Sequence, residues 1–258
     1  MDGSVVEFGP RLAVVLIVLV ALAVLAGQWS GLGQGRPVLV AGLRATVQLG
    51  VVSGVLLFVV RSLWLSTAFV TLMLAVATVT AAGRATGRPL AAPGRRTRLP
   101  PVALAVTTGA VPIAGLIVLS GAVPLRGEAV IPIAGILIGG AMTAVSLAGR
   151  RLREELSARR GEVEAALALG LVRRDAVLEV ARPAAGTALL PPLDQTRTVG
   201  LVTLPGAFVG VLLGGGTPLE AGAAQLLVLV GLLAAQTTAV WVTIELVARG
   251  LVLHDVPQ

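Results

Sequence analysis

The run AVIPIAGILIGGAMTAVSLA, residues 129–148, carries no charge and passes without a break into GRRLREELSARR, residues 149–160. A helix needs about 20 mostly apolar residues to cross the hydrocarbon core of a bilayer. The first half of this stretch meets that length. The second, with Arg150, Arg151 and Arg153, is the basic flank that marks the cytoplasmic end of a span. An all-α membrane protein is therefore the reading to extend along the chain.

Outward from this stretch, six more windows of comparable character appear between the charges. With Ala129 to Ala148 they run Leu12 to Ala26, Val38 to Val60, Leu63 to Ala82, Val102 to Ser120, Val199 to Leu213 and Ala221 to Val247. Seven such helices use about 140 residues. The remainder of a 258-residue chain is too short for a separate soluble domain. The sequence thus predicts one polytopic transmembrane helix bundle, residues 1–258, with an amphipathic cytoplasmic loop at about 149–197.

Composition supports the same solvent. Hydrophobic residues make up 56% and charged residues 13% of the chain, and the mean hydropathy is +0.95. A soluble domain carries roughly twice that share of charge. All 20 positive residues are Arg, and Lys, Asn, Cys and Tyr are absent. Without Lys there is no phosphate-gripping Walker loop and no Schiff base. Without Cys, and with His254 as the one histidine, the chain has no thiolate or paired-histidine metal site.

Arginine distribution sets the expected topology. One loop holds Arg84, Arg88, Arg95, Arg96 and Arg98, and another holds Arg150, Arg151, Arg153, Arg159, Arg160, Arg173, Arg174, Arg182 and Arg197. Both are expected inside. The loops around Arg126 with Glu128, and from Gly214 to Glu220, have almost no net charge and are expected outside. Asp2 and Glu7 precede Arg11, the reverse of a secretory leader, so the first span is read as a retained helix with its N-terminus outside. Seven spans then leave Arg249 and the C-terminus in the cytoplasm. The net charge of +7 is topogenic, met by anionic lipid and not by nucleic acid, since the basic clusters lack interleaved aromatics.

The inner loop is far longer than a connector requires. Glu155 and Arg159 stand four apart, and Val163, Ala166, Leu167, Gly170 and Leu171 recur at helical spacing. Gly170 is expected to interrupt this amphipathic helix, with a second helix from Arg173 to Ala181 that Pro183 ends. Within it, Glu164-Ala165-Ala166 is followed after three residues by Gly170, then Val180 and Pro183. This spacing resembles the EAA loop of permease subunits of ATP-binding cassette (ABC) transporters. There a short helix carrying small residues docks into a groove of a separate ATPase. Arg182 stands where that pattern has Leu, and Val180 where it has Ile. A solvated amphipathic helix is the alternative reading of the same residues.

Further motifs recur in order over about residues 38–245: Arg44-Ala45 with Gln48-Leu49, Val130 to Gly135 with Ala141-Met142, Asp194 with Thr198 to Val202, and Leu204-Pro205-Gly206. In these the chain resembles the FetB/YbbM family of permeases, implicated in bacterial iron export, whose aluminium-sensitive and STAR-type plant relatives act in aluminium tolerance. Gly140 departs from the bacterial pattern, which has Asn. The resemblance implies a permease that pairs with itself and with two copies of an ABC ATPase. This chain would bind no cofactor of its own, ATP and Mg being used by the ATPase. Its docking loop would comprise Glu164, Ala165, Ala166, Gly170, Arg173 and Arg174.

Polar residues within spans are candidates for the translocation path. Arg44 and Gln48 share one helix face and would either meet cargo, or snorkel to headgroups and bond a neighbouring helix. Asp194 and Gln195 follow Pro191-Pro192, where freed carbonyls would suit a hard cation, or Asp194 caps a helix. Pro205, Pro112 and Pro132, with Gly109, Gly135 and Gly206, mark places where helices bend or expose backbone near a passage, or, for the glycines, close packing. Glu245 is expected to pair with Arg249 and His254 to be solvated. No residue is assigned as a metal ligand.

The function expected from all of this is the membrane subunit of an ABC transporter in the cytoplasmic membrane, exporting a metal such as iron and not itself an enzyme. The alternatives are a secondary transporter or channel driven by ion gradients, and an ABC permease for a non-metal solute.

Overall fold

The computed structural model describes residues 9–31, 33–87 and 98–253. Expectations resting on Asp2, Glu7, Arg88, Arg95, Arg96 and His254 lie outside the described residues. Among those described, six helices are long and apolar enough to cross a membrane: α1 (Pro10–Trp29), α2 (Gly35–Val59), α3 (Leu63–Thr86), α4 (Leu99–Leu119), α5 (Gly127–Ala158) and α10 (Pro218–Ala248). Between α5 and α10 lie α6 (Arg160–Ala168), α7 (Arg173–Gly186), a 3-10 turn (Thr187–Leu189), α8 (Leu190–Thr198) and α9 (Gly206–Leu213).

The chain divides into two compact units, Met1–Arg61 and Ser62–Gln258. In the first, α1 and α2 pair as a hairpin, with Gly42 close against Val20. Nearly every side chain of α1 is exposed and apolar, as suits a helix whose solvent is lipid.

In the second unit α5 is the central helix, packed on α3, α4, α7 and α10. Ala134, Leu137, Ile138, Ala141, Ala144, Val145, Ala148 and Leu152 recur three and four apart and are all buried, so they form one stripe. The faces packed into this core are also built from small residues, Ala81, Ala82 and Ala85 on α3 and, on α10, Ala235 and Ala239, which meet Gly109 of α4. Small side chains let helix backbones approach closely, the main source of packing energy where lipid is as apolar as the helices. Gly149 lies against Ala85, and Gly109 lies against the carbonyl of Ala235.

At 32 residues α5 is about 48 Å long, well beyond the roughly 30 Å hydrocarbon core. Its last turns, from Arg150, exceed that thickness yet stay packed, with Leu152 and Leu156 buried. There Arg153 donates from Nη1 to the carbonyl of Ala85 at 3.2 Å and so caps the last turn of α3. Arg153 thus ties α5 to α3.

The predicted span Val199 to Leu213 is not one helix. Residues 199–205 form a tight turn in which Gly200 has φ 82° and its N–H donates to the carbonyl of Thr203 at 2.9 Å. Helix resumes only after Pro205, and the eight residues of α9 extend about 12 Å, too short to cross. The first turns of α5 and α10 line one cleft, while both helices meet α7 towards their other ends, so they run parallel. The chain between them returns alongside α10. Leu189 shares a cleft with Val240 and Trp241, and Phe208 donates its N–H to Oε1 of Gln225 at 3.2 Å. The return is broken into α8, the turn and α9.

Two smaller expectations also change. Pro183 lies inside α7, which continues to Gly186. Burial of Ala181 and Ala185 on either side of it favours continuing the helix despite the lost N–H. Pro191 and Pro192 sit in the first turn of α8, where helix N–H groups have no partner anyway, so the prolines free no carbonyls there.

Candidate coupling element and transport cleft

The α6–α7 corner is built from local chemistry. Gly170 adopts φ 93°, a region that disfavours any side chain. Its N–H donates to the carbonyl of Leu167 at 2.9 Å, and that of Leu171 to the carbonyl of Ala166 at 3.1 Å. This pair of bonds closes the end of α6 and turns the chain into α7. Val163 is fully buried, and Ala166 and Leu167 pack on the core. The corner itself faces outward: Leu169 is 83% and Val172 64% exposed.

Ion pairs hold both arms of this corner. Arg159, at the junction of α5 and α6, donates to both carboxylate oxygens of Glu162 at 2.7 and 2.6 Å and to Glu155 at 3.2 Å. The guanidinium keeps the Glu162 carboxyl below the usual carboxylate range, and its own pKa is raised in turn. Arg174, near the start of α7, reaches across to Glu245 of α10 through two bonds of 2.7 and 2.8 Å. That contact raises the Arg174 pKa. The Glu245–Arg249 pair is present at 2.8 Å, and Arg174 is the second partner that the sequence reading missed. The pair spans 71 residues, and no local spacing signals it.

The docking-loop residues read from sequence therefore lie on α6, the corner and the first turn of α7. Glu164 pairs with Arg160 of its own helix at 2.8 Å, and Ala165 is exposed. Arg173 is half-buried, its guanidinium against Gly250.

The candidate path residues divide between the units. Arg44 and Gln48 are exposed on α2. Asp194 and Gln195 are exposed on α8, where Asp194 pairs with Arg197 at 3.0 Å. Asp194 lies within α8 and is not its N-cap, which is Leu189. Pro205 is the N-cap of α9.

Beside α9 is a cleft of about 880 Å³ that Arg44, Gln48, Asp194, Gln195 and Pro205 do not line, though Pro132 and Gly206 do. Pro132 and Ile136 of α5, Gly206 and Val211 of α9 and Leu227 of α10 line it, with Glu128 and Glu220 as its charged residues. Glu220 also closes a capping box: its N–H donates to Oγ1 of Thr217, and its Oε2 accepts from the Thr217 N–H at 2.7 Å. The capping spacing Thr217 to Glu220 and the Glu in the first turn of α5 and of α10 were the available signals. No group of three or more metal-ligating residues occurs among the described residues.

Comparison with known proteins adds a family and three relatives. The sequence model described as "Uncharacterised protein family (UPF0014)" matches residues 11–252. The rice protein "UPF0014 membrane protein STAR2" is 35% identical over 222 residues, covering 85% of this chain and 75% of that protein. "UPF0014 membrane protein slr1647" of Synechocystis is 32% identical over 214 residues, 82% and 81% of the two chains. "Probable iron export permease protein FetB" of Escherichia coli is 36% identical over 99 residues, 38% of each chain. No solved structure matches.

Proposed function

This chain belongs to the UPF0014 family, and from that premise we propose that it is the permease subunit of an ABC transporter, moved by a separate ATPase. The observation that carries this reading is the corner at Leu169 to Val172. It is apolar, exposed and fixed at both arms by ion pairs. An exposed apolar knob outside the hydrocarbon region calls for a protein partner. A load applied there passes through α7 and the Arg174–Glu245 fork to α10.

Seven crossings follow if the broken return of α8 and α9 counts as one. The arginine-rich ends then face the cytoplasm and the N-terminus lies outside, in the plasma membrane. Discontinuous segments at membrane depth are tolerated where they line a cavity, and α9 lines the 880 Å³ cleft. The working assembly is a permease homodimer with two ATPase chains that use ATP and Mg.

A metal such as iron is the proposed cargo, in keeping with the name of the FetB relative. The chain has no Cys, so coordination would come from oxygen or from a chelate carried whole. The test is co-purification with an ABC ATPase of the same cell. A stable complex whose ATP hydrolysis is stimulated by this chain is expected, and an ATPase that neither binds nor responds sinks the reading. Metal content of cells lacking the protein tests the cargo separately: iron should accumulate.

A further inference from the structure

A second cleft, about 350 Å³, lies between α7 and α10 at the arginine-rich end of the bundle. Arg174 and Glu245 at its edge already satisfy each other, and Glu245 is shared with Arg249. Arg182 also lines the cleft. It lies eight residues beyond Arg174, on the same face of α7, and makes no ion pair or hydrogen bond among the described residues.

Across from it stand Thr237, Ile244 and Trp241, the indole 67% exposed. Trp241 is eight residues before Arg249, about 12 Å along α10, a depth at which an amphipathic ring sits between headgroups and acyl chains. A free guanidinium beside an apolar wall and an interfacial indole selects a molecule with a phosphate at one end and hydrocarbon at the other.

We propose that this cleft binds one anionic glycerophospholipid, its phosphate on Arg182 and its acyl chain along Trp241 and Ile244. The site requires only that α10 spans the bilayer. It depends neither on the ATPase partnership nor on which side of the membrane this end faces. Arg182 departs from the docking-loop pattern, and a lipid anchor gives that departure a use.

The experiment uses the full chain, delipidated in detergent and titrated with phosphatidylglycerol or phosphatidylcholine, with bound lipid counted by native mass spectrometry. One phosphatidylglycerol should be retained in preference to phosphatidylcholine. Arg182→Gln should weaken that retention roughly fivefold. Arg151→Gln, an exposed arginine outside the cleft, should not. Millimolar inorganic phosphate should leave the lipid in place. Equal retention of the two lipids, an Arg182→Gln effect no larger than that of Arg151→Gln, or displacement by free phosphate would each overturn the proposal.

Discussion

The guanidinium of Arg174 grips the carboxylate of Glu245 through two parallel bonds, Nε to Oε1 at 2.7 Å and Nη2 to Oε2 at 2.8 Å. Such a fork fixes direction as well as distance. It locks the start of α7 to the last turns of α10, so the corner before α7 cannot move alone. Reversing either charge, Arg174→Glu or Glu245→Arg, should raise hydrogen exchange in α7. In an Arg249→Gln background, which removes the third member of the cluster, the double reversal should restore part of the protection. Equal exchange in the single and double variants would remove α10 from the lever.

The corner separates shape from contact. Leu169→Gln changes a side chain that is 83% exposed, so stability should move by no more than about 0.5 kcal/mol. Stimulation of the proposed partner ATPase should nevertheless fall. Gly170→Val meets no neighbouring atom, yet it forces a branched side chain into φ 93° and should cost about 1–2 kcal/mol. Melting temperature and ATPase rate, measured on both variants, distinguish a docking surface from a merely necessary turn.

What could be read in advance followed from period and charge. Five of the six long helices lie close to their predicted windows, and α5 overshoots because its buried stripe continues past Ala148 to Leu152 and Leu156, among the arginines. Window hydropathy failed at Val199 to Leu213 because it averages over Gly200 and Pro205-Gly206, residues that punctuate a chain however apolar their neighbours are. The Glu155–Arg159 and Glu245–Arg249 pairs were legible as i,i+4 spacings. The Arg174–Glu245 fork was not, because only the packing of α7 on α10 brings those residues together. The cleft at Glu128 and Glu220 is likewise a product of three helices meeting.

Close glycine contacts make a graded test of the helix packing. A Cβ at Gly109 would stand 2.7 Å from the carbonyl oxygen of Ala235, and one at Gly149 would stand 3.0 Å from Cα of Ala85. Backbone cannot give way as a flexible side chain can. Gly109→Ala and Gly149→Ala should each cost about 1–3 kcal/mol. Gly115→Ala meets nothing within 4 Å and should be neutral or stabilising by up to about 1 kcal/mol through helix propensity. Thermal melts of the three in one detergent give the comparison.

The short helix α9 is held to α10 by the Gln225 side chain, buried and bonded to the Phe208 N–H at 3.2 Å. Gln225→Leu should loosen that end of α9 at a cost of about 1 kcal/mol. Since the chain has no cysteine, Val209→Cys supplies a unique thiol on α9. Its labelling rate should rise in the Gln225→Leu background. An unchanged rate would mean that α9 is held by apolar packing alone.

Gln236 presents the opposite case. Its Oε1 is buried in α10 with no hydrogen-bond partner among the described residues, and Gly140 of α5 lies close to its amide nitrogen. An unsatisfied buried acceptor costs about 1–3 kcal/mol, whereas an apolar side chain of similar shape has nothing to leave unpaired. Gln236→Met should therefore stabilise the bundle by about 1 kcal/mol, a rise of roughly 2–4 °C in melting temperature for a unit of this size. At Gly140 a side chain would collide first with Leu232, whose far end can rotate. Gly140→Asn, combined with Leu232→Ala to make room, should place an amide beside Gln236. Stability should then recover relative to Leu232→Ala alone. If Gln236→Met is instead destabilising, the oxygen has a partner in the membrane, and an ordered water or a cation between α5 and α10 becomes the object to find.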